Sequence, residues 1–186
     1  MSASKLPDET LAQPMFLKLV DNLREAMQVR ELRNSCRDYL TNNRAHIGIG
    51  RQLFWYFRYY RNAKATGKYR LYIWYDDRGV ALGYGALALD DGKLLITECV
   101  ATKHRGRGHG SSILDRLVRI ALEEKRDLVA EIWATNEGSV ALHEKAGFKL
   151  ESRRTKGGEE IQKYLLSVEV VTTERRHLVD RSRVVA

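Results

Sequence analysis

The segment Val100-Ala101-Thr102-Lys103-His104-Arg105-Gly106-Arg107-Gly108-His109-Gly110-Ser111 constrains the fold more than any other part of the chain. Basic residues are interleaved with glycine throughout it. Ahead of it, residues 93–101 carry a strand pattern. Behind it, Ile113, Leu114, Leu117, Val118, Ala121 and Leu122 form one apolar stripe at helical spacing over 111–125. A strand must therefore turn directly into an amphipathic helix. The first turn of such a helix carries unpaired backbone N–H groups and a partial positive charge. Glycine lets that backbone approach a phosphate closely, and Arg105 and Arg107 add charge, so a pyrophosphate is the natural ligand. The bland alternative is a basic turn that binds nothing. A Walker loop is not matched, because no Gly-Lys-Ser/Thr closes the segment. A dinucleotide fingerprint fits poorly: Ser111 stands where its third glycine belongs, and the strand comes out of antiparallel hairpins rather than a parallel βαβ unit.

The remaining chain reads as alternating strands and helices. Residues 15–20 predict a short strand, with Asp21 or Asn22 capping a helix behind it. Leu23 and Met27 share one helical face, whereas Leu32, Cys36, Tyr39 and Leu40 share another, which predicts a kink or two consecutive helices. Gly48 and Gly50 punctuate the chain before an aromatic helix from residue 53 to 60. Residues 69–75, 80–89 and 93–101, separated by Asp/Gly turns, predict an antiparallel meander. Residues 127–134 read as a buried strand and 137–146 as a short helix closed by Gly147. Residues 148–153 and 161–171 form a last hairpin around Gly157-Gly158. Residues 1–14, with Pro7 and Pro14, read as a flexible leader, and 172–186, with four arginines, as a basic tail. One domain over 15–171 is the expectation for a chain of 186 residues.

Composition narrows the partners. A net charge of +8 and a pI near 9.6 favour anionic ones: nucleic acid, an anionic cofactor, or polyanions in general. No apolar run approaches the roughly 18 residues of a membrane span, so no membrane partner is expected. The N-terminal MSASKLPDET lacks an apolar signal core, so secretion is not indicated. Cys36 and Cys99 make neither a disulfide framework nor a zinc signature. Both read as core residues in a reducing cytoplasm. His46, His104, His109 and His177 lack metal-ligand spacing, so no metal is expected.

Arg105-x-x-Gly108-x-Gly110 resembles the pyrophosphate-binding motif of the GNAT superfamily of acetyl-CoA-dependent N-acetyltransferases. A second block, Asn136-Glu137-Gly138-Ser139-Val140-Ala141-Leu142-His143-Glu144-Lys145-Ala146-Gly147-Phe148, resembles the family's asparagine, short helix and terminal Gly-Phe. One helix and one strand separate the blocks, as in the family. The resemblance implies an α/β (α+β) fold: a mixed, mostly antiparallel sheet with flanking helices and a splayed pair of parallel central strands. It implies acetyl-CoA as co-substrate, held by Val100, Ala101, Thr102, Arg105, Gly106, Arg107, Gly108, His109, Gly110 and Ser111, with Asn136 and Ser139 contributing. It also implies direct attack of an amine on the thioester. That chemistry needs approximation, removal of the ammonium proton, and stabilisation of the oxyanion and the leaving thiolate.

Under the resemblance, the Val100 N–H is the candidate oxyanion donor. Glu98 and Glu131 are the candidate bases, although either could simply pair with an arginine. His143 stands where the family often has a tyrosine acid; it could donate a proton, hydrogen-bond the sulfur, or be a helix histidine beside the cofactor. On the acceptor side, Trp55 and Tyr59 share a helical face, as do Tyr56 and Tyr60. Core packing is one reading of this cluster. An acceptor wall of Trp55 and Tyr59, extended by Tyr72, Trp74 and Tyr84, is the other. Arg33-Asn34 resembles a feature of members that act on amino sugars. The expected acceptor is a primary amine of a small molecule. A protein or nucleic-acid amine and a noncatalytic CoA-binding or basic module are the alternatives. Monomer and homodimer both stay open.

Overall fold

The Asn22 side chain accepts a hydrogen bond from the Glu25 N–H (3.0 Å) and so turns the short strand β1 (Phe16–Leu19) into helix α1 (Leu23–Ser35). The computed structural model describes residues 15–169; the expected leader and basic tail lie outside them. The phase change expected in the first helical region is real. Helix α1 stops at Ser35 and a 3₁₀ turn, Arg37–Tyr39, follows it.

The aromatic helix starts earlier than its apolar pattern suggests. Helix α2 (Ile49–Trp55) runs through Gly50 into a π turn (Tyr56–Tyr60) and on into α3 (Arg61–Ala65). The wide turn brings Tyr56 and Tyr60 inward, and the Tyr60 hydroxyl donates to the Val20 carbonyl at 2.8 Å. Phe54, Phe57 and Tyr59 are left exposed.

Strands β2 (Tyr69–Tyr75), β3 (Ala81–Asp90) and β4 (Lys93–Val100) form the expected meander. Asp91 and Gly92 close its second hairpin with positive φ at both positions, the geometry of a two-residue turn that matches strand twist. Helix α4 (His109–Glu123), strand β5 (Leu128–Trp133), helix α5 (Glu137–Lys145) and the hairpin β6 (Lys149–Lys156) and β7 (Glu159–Leu166) follow. The sheet order is β1-β2-β3-β4-β5-β7-β6, and β4–β5 is the one parallel pair in that sheet.

Each face of the sheet buries its own core. Ile96, Leu94, Leu128, Ala130 and Ile132 pack against Ile113, Leu114 and Leu117 of α4. Cys99, Ala86, Tyr84 and Ile73 pack against Val29, Leu32, Tyr56 and Tyr60 on the other side. Helix α4 lies close over β3 because glycine lines its path. A Cβ at Gly83 would fall inside contact distance of the Cys99 carbonyl oxygen, a backbone atom that cannot swing away. Gly83→Ala is therefore expected to lower stability by about 1–3 kcal/mol, read as a lower urea midpoint with unchanged slope.

The two cysteines are buried core residues, but the expectation of no disulfide is corrected: Cys36 and Cys99 are joined across 63 positions of sequence. The sequence spacing conceals the pairing. It arises because the end of α1 packs on the end of β4, which brings the two Cα atoms to 6.7 Å.

Candidate active site

The site begins with the main chain of β4. The Ala101 N–H donates to the Leu82 carbonyl at 2.9 Å, and Cys99 stands opposite Tyr84. Hydrogen-bonded pairs alternate along an antiparallel ladder. Thr97, Cys99 and Ala101 therefore direct their main-chain groups to β3, whereas Glu98 and Val100 direct theirs toward β5. Leu94, of the same parity, does reach that neighbour: its N–H donates to Asp127 at 2.8 Å. The parallel register then lasts only for Leu94–Leu128 and Leu95–Val129. Beyond it the strands part. The main chain of Glu98 and Val100, not paired to β5, lines a cleft of about 380 Å³, with Ala130, Glu131 and Ile132 on its far wall.

The glycine-rich turn closes one end of that cleft. A 3₁₀ turn, Thr102–His104, leads through Arg105 to Gly106 and Gly108, both at positive φ. Gly108 is the N-cap of α4 and no side chain caps the helix there, so its first N–H groups keep their pull on an anion. A Cβ at Gly106 or Gly108 would meet no atom within 4 Å, so the open space over the turn is available to a ligand. Arg105 is held in place twice: its Nε donates to the Val100 carbonyl at 3.2 Å, and its guanidinium lies 4.3 Å from the Tyr39 ring centroid. A diphosphate at the turn, with an extended arm running between the parted strands, fits this arrangement.

Of the sequence-expected cofactor residues, Val100, Arg105, Gly106, Gly110, Asn136 and Ser139 line the cleft. Arg107, Gly108, His109 and Ser111 form the outer turn and the helix start, and Ala101 and Thr102 lie behind it. The Thr102 hydroxyl donates to the Ser35 carbonyl (3.1 Å). Asn136 caps α5, accepting from the Ser139 N–H at 3.3 Å. Sequence reasoning missed Tyr39, Thr41, Asn42 and Leu142, which also line the cleft. No local motif marks the first three, because they arrive from the connection after α1.

The two candidate bases stand on opposite faces. Glu98 shares the face of Ile96 and points at α5, where its carboxylate lies 3.6 Å from His143 Nε2, beyond normal hydrogen-bond length. His143 is almost wholly buried, and its Nδ1 lies 2.9 Å from the Ser139 carbonyl, so Nδ1 carries a proton. Burial pulls the imidazole down, but the Glu98 carboxylate and the Ser139 carbonyl outweigh it, and His143 is held above its ordinary 6.5. Glu131 alternates with Ala130 and Ile132 and so faces the other side of the sheet, the side of Thr97 and α1. Arg154 grips it with two bonds, at 2.8 and 3.3 Å.

The raised His143 value has a signed consequence. Its pairing stabilises the fold fully below pH 6.5 and loses that contribution as pH rises through the higher folded value. The stability gap between the native chain and His143→Gln is expected to be widest in mild acid and to narrow on the alkaline side. Urea titrations across pH check this; a gap that widens with pH would reverse the assignment.

On the α1 side, Trp55 and Tyr84 line a second pocket with Tyr69, whereas Tyr59, 53% exposed, stays outside it, its ring tilted against Trp55 at 6.3 Å between centroids. Tyr72 and Trp74 belong to the core. The Asn34 side chain is taken up by both main-chain groups of Ile47, leaving Arg33 alone to face the pocket.

The family model described as Acetyltransferase (GNAT) family matches residues 28–148. Among solved structures, yncA from Salmonella typhimurium, with its cofactor acetyl-CoA, superposes with a TM-score of 0.69 at 21% identity, over 83% of this chain and 94% of that one. Spermidine N-acetyltransferase from Vibrio cholerae, in complex with CoA and spermine, gives 0.69 at 14% identity over 82% and 94%. RimL, a ribosomal L7/L12 alpha-N-protein acetyltransferase in complex with coenzyme A, gives 0.69 at 14% over 82% and 93%. At such identities these structures share the fold, with its mixed sheet and one parallel pair. No curated protein matches the sequence. Among the described residues no helix is long and apolar enough to cross a membrane, and no cluster of metal-ligating side chains occurs.

Proposed function

The chain belongs to the GNAT family of acetyltransferases, and on that premise we propose that it moves the acetyl group of acetyl-CoA to a primary amine of a small molecule by direct attack. The observation that carries this reading is the cleft where β4 and β5 part, running from the glycine turn past the Val100 N–H to Thr97 and Glu131. Acetyl-CoA supplies an activated acyl group and a thiolate that can leave. The residues of the chain do the rest. The N–H groups at the start of α4, with Arg105 and Arg107, hold the diphosphate. The Val100 N–H, turned away from β3, stabilises the negative charge that develops on the carbonyl oxygen. Glu131 takes the ammonium proton, directly or through one water, because its face of the sheet is the one open to the second pocket. His143, whose protonated form the Glu98 carboxylate favours, faces the departing sulfur from the opposite side of the sheet and stabilises it. We also propose the cytoplasm as the working compartment.

Thermal unfolding with and without CoA tests the first step. Ligand at 100 times its Kd is expected to add about 2.7 kcal/mol. Thiol release is then followed with amines, peptides and oligonucleotides as acceptors. Turnover with small amines supports the reading. Turnover confined to peptides or oligonucleotides moves the acceptor to a macromolecule, and binding without any turnover leaves a CoA-binding module.

A further inference from the structure

The second pocket, about 290 Å³, lies between α1, the 42–47 connection, α2 and the sheet. It meets the main cleft at Asn42 and Thr97, which line both. Its volume is at the small end of ligand sites. Trp55, Tyr69 and Tyr84 give it aromatic walls, and Arg30, Arg33 and Arg51 give it charge. Among the described residues no aspartate or glutamate lines it. Arg30 Nη1 donates to the Ile47 carbonyl at 3.1 Å, its Nη2 lies 3.6 Å from the exposed Glu31, and its buried Nε has no partner among the described residues. Arg33 donates to the Asn43 and Ala45 carbonyls, so it is fixed in position but not neutralised. Neither Arg33 nor Arg51 has a carboxylate within ion-pair distance among the described residues. Burial pulls the Arg33 guanidinium below its ordinary value, and nearby Arg51 adds to that shift. A fixed, partly desolvated cation without a carboxylate partner among the described residues, lining a cavity, is a demand for an anion.

We propose that this pocket takes the acceptor, and that the acceptor is a small amine carrying an anionic group, a carboxylate or a phosphonate, held by Arg33 and Arg51. An apolar or flat spacer lies along Trp55, and the amine emerges at Thr97 beside Glu131. The inference rests on the acetyl-transfer reading for which end of the molecule reacts. It also excludes a class: a polyamine or other polycation would have to place a second ammonium among three arginines.

Binding rather than turnover is the test, so the outcome does not depend on catalysis. The CoA-loaded protein is titrated in a calorimeter with four probes on one scaffold: 4-(aminomethyl)benzoate, 4-(aminomethyl)phenylphosphonate, benzylamine and 1,4-bis(aminomethyl)benzene. The two anionic probes are expected to bind about tenfold or more tighter than benzylamine, and the diamine weakest. Their order identifies carboxylate or phosphonate as the preferred head. Arg51→Glu, on an exposed side chain with no hydrogen bond or ion pair among the described residues, is expected to remove the preference, as is Arg33→Gln, while CoA affinity is unchanged in both. Equal affinities, tighter binding of the diamine, no binding of any probe to the CoA-loaded protein, or a preference that survives Arg51→Glu would overturn the proposal. Loss of CoA binding by the native chain would instead sink the acetyl-transfer reading. In that event benzoate and benzylamine titrated into the free protein decide the pocket's charge preference separately.

Discussion

Glutamine at Glu131 is expected to lower kcat by about 10²–10⁴, the range removed with a general base. Glutamine keeps the shape and can still face Arg154, but it cannot accept a proton. KM for the amine should change little, so the loss falls on kcat and on kcat/KM alike. The structural argument is directional. Glu131 and Thr97 share the face that opens to the arginine-lined pocket, whereas Glu98 points the other way, into the buried contact with His143. Glu98→Gln is therefore expected to act on the thiolate side and on the histidine's protonation. If Glu131→Gln keeps full turnover while Glu98→Gln loses it, the two carboxylates exchange roles. Arg154→Ala serves as the control: it frees Glu131 from its ion pair without removing the carboxylate.

Reduction of the Cys36–Cys99 bond is expected to cost about 4 kcal/mol in the chain-entropy picture of a loop this long. For a protein of this size that corresponds to a fall in Tm of roughly 10 °C. Urea unfolding with and without reductant measures it, and Cys36→Ser combined with Cys99→Ser should reproduce the reduced value. Coincident curves would show that the bond does not restrain the unfolded chain. The prediction bears on the proposed compartment, because a reducing cytoplasm disfavours such bonds. Alkylation of free thiols in freshly lysed cells, read by mass, reports which form is present there.

Local signals carried much of the fold. The turns at Asp91-Gly92 and Gly157-Gly158, the stripe on α4 and the Gly147 stop are nearest-neighbour features, and each strand and helix they delimit is present. The π turn at Tyr56–Tyr60 was not legible, since five consecutive residues containing four aromatics have no unique helical phase. Tyr59 illustrates the consequence: it shares a nominal face with Trp55 but lies outside the pocket that Trp55 lines.

The amino-acid sequence alone determined that a strand runs into a glycine-rich, basic helix start, because backbone conformation and unpaired N–H groups are set within a few residues. Tertiary structure decided what stands across from that turn. Only the parting of β4 from β5, the placing of Glu98 and Glu131 on opposite faces, the meeting of Cys36 with Cys99 and the separation of Arg33 from every carboxylate of the described residues turn the motif into a site with two sides. Each depends on packing between segments tens of residues apart, and no local pattern encodes such distances.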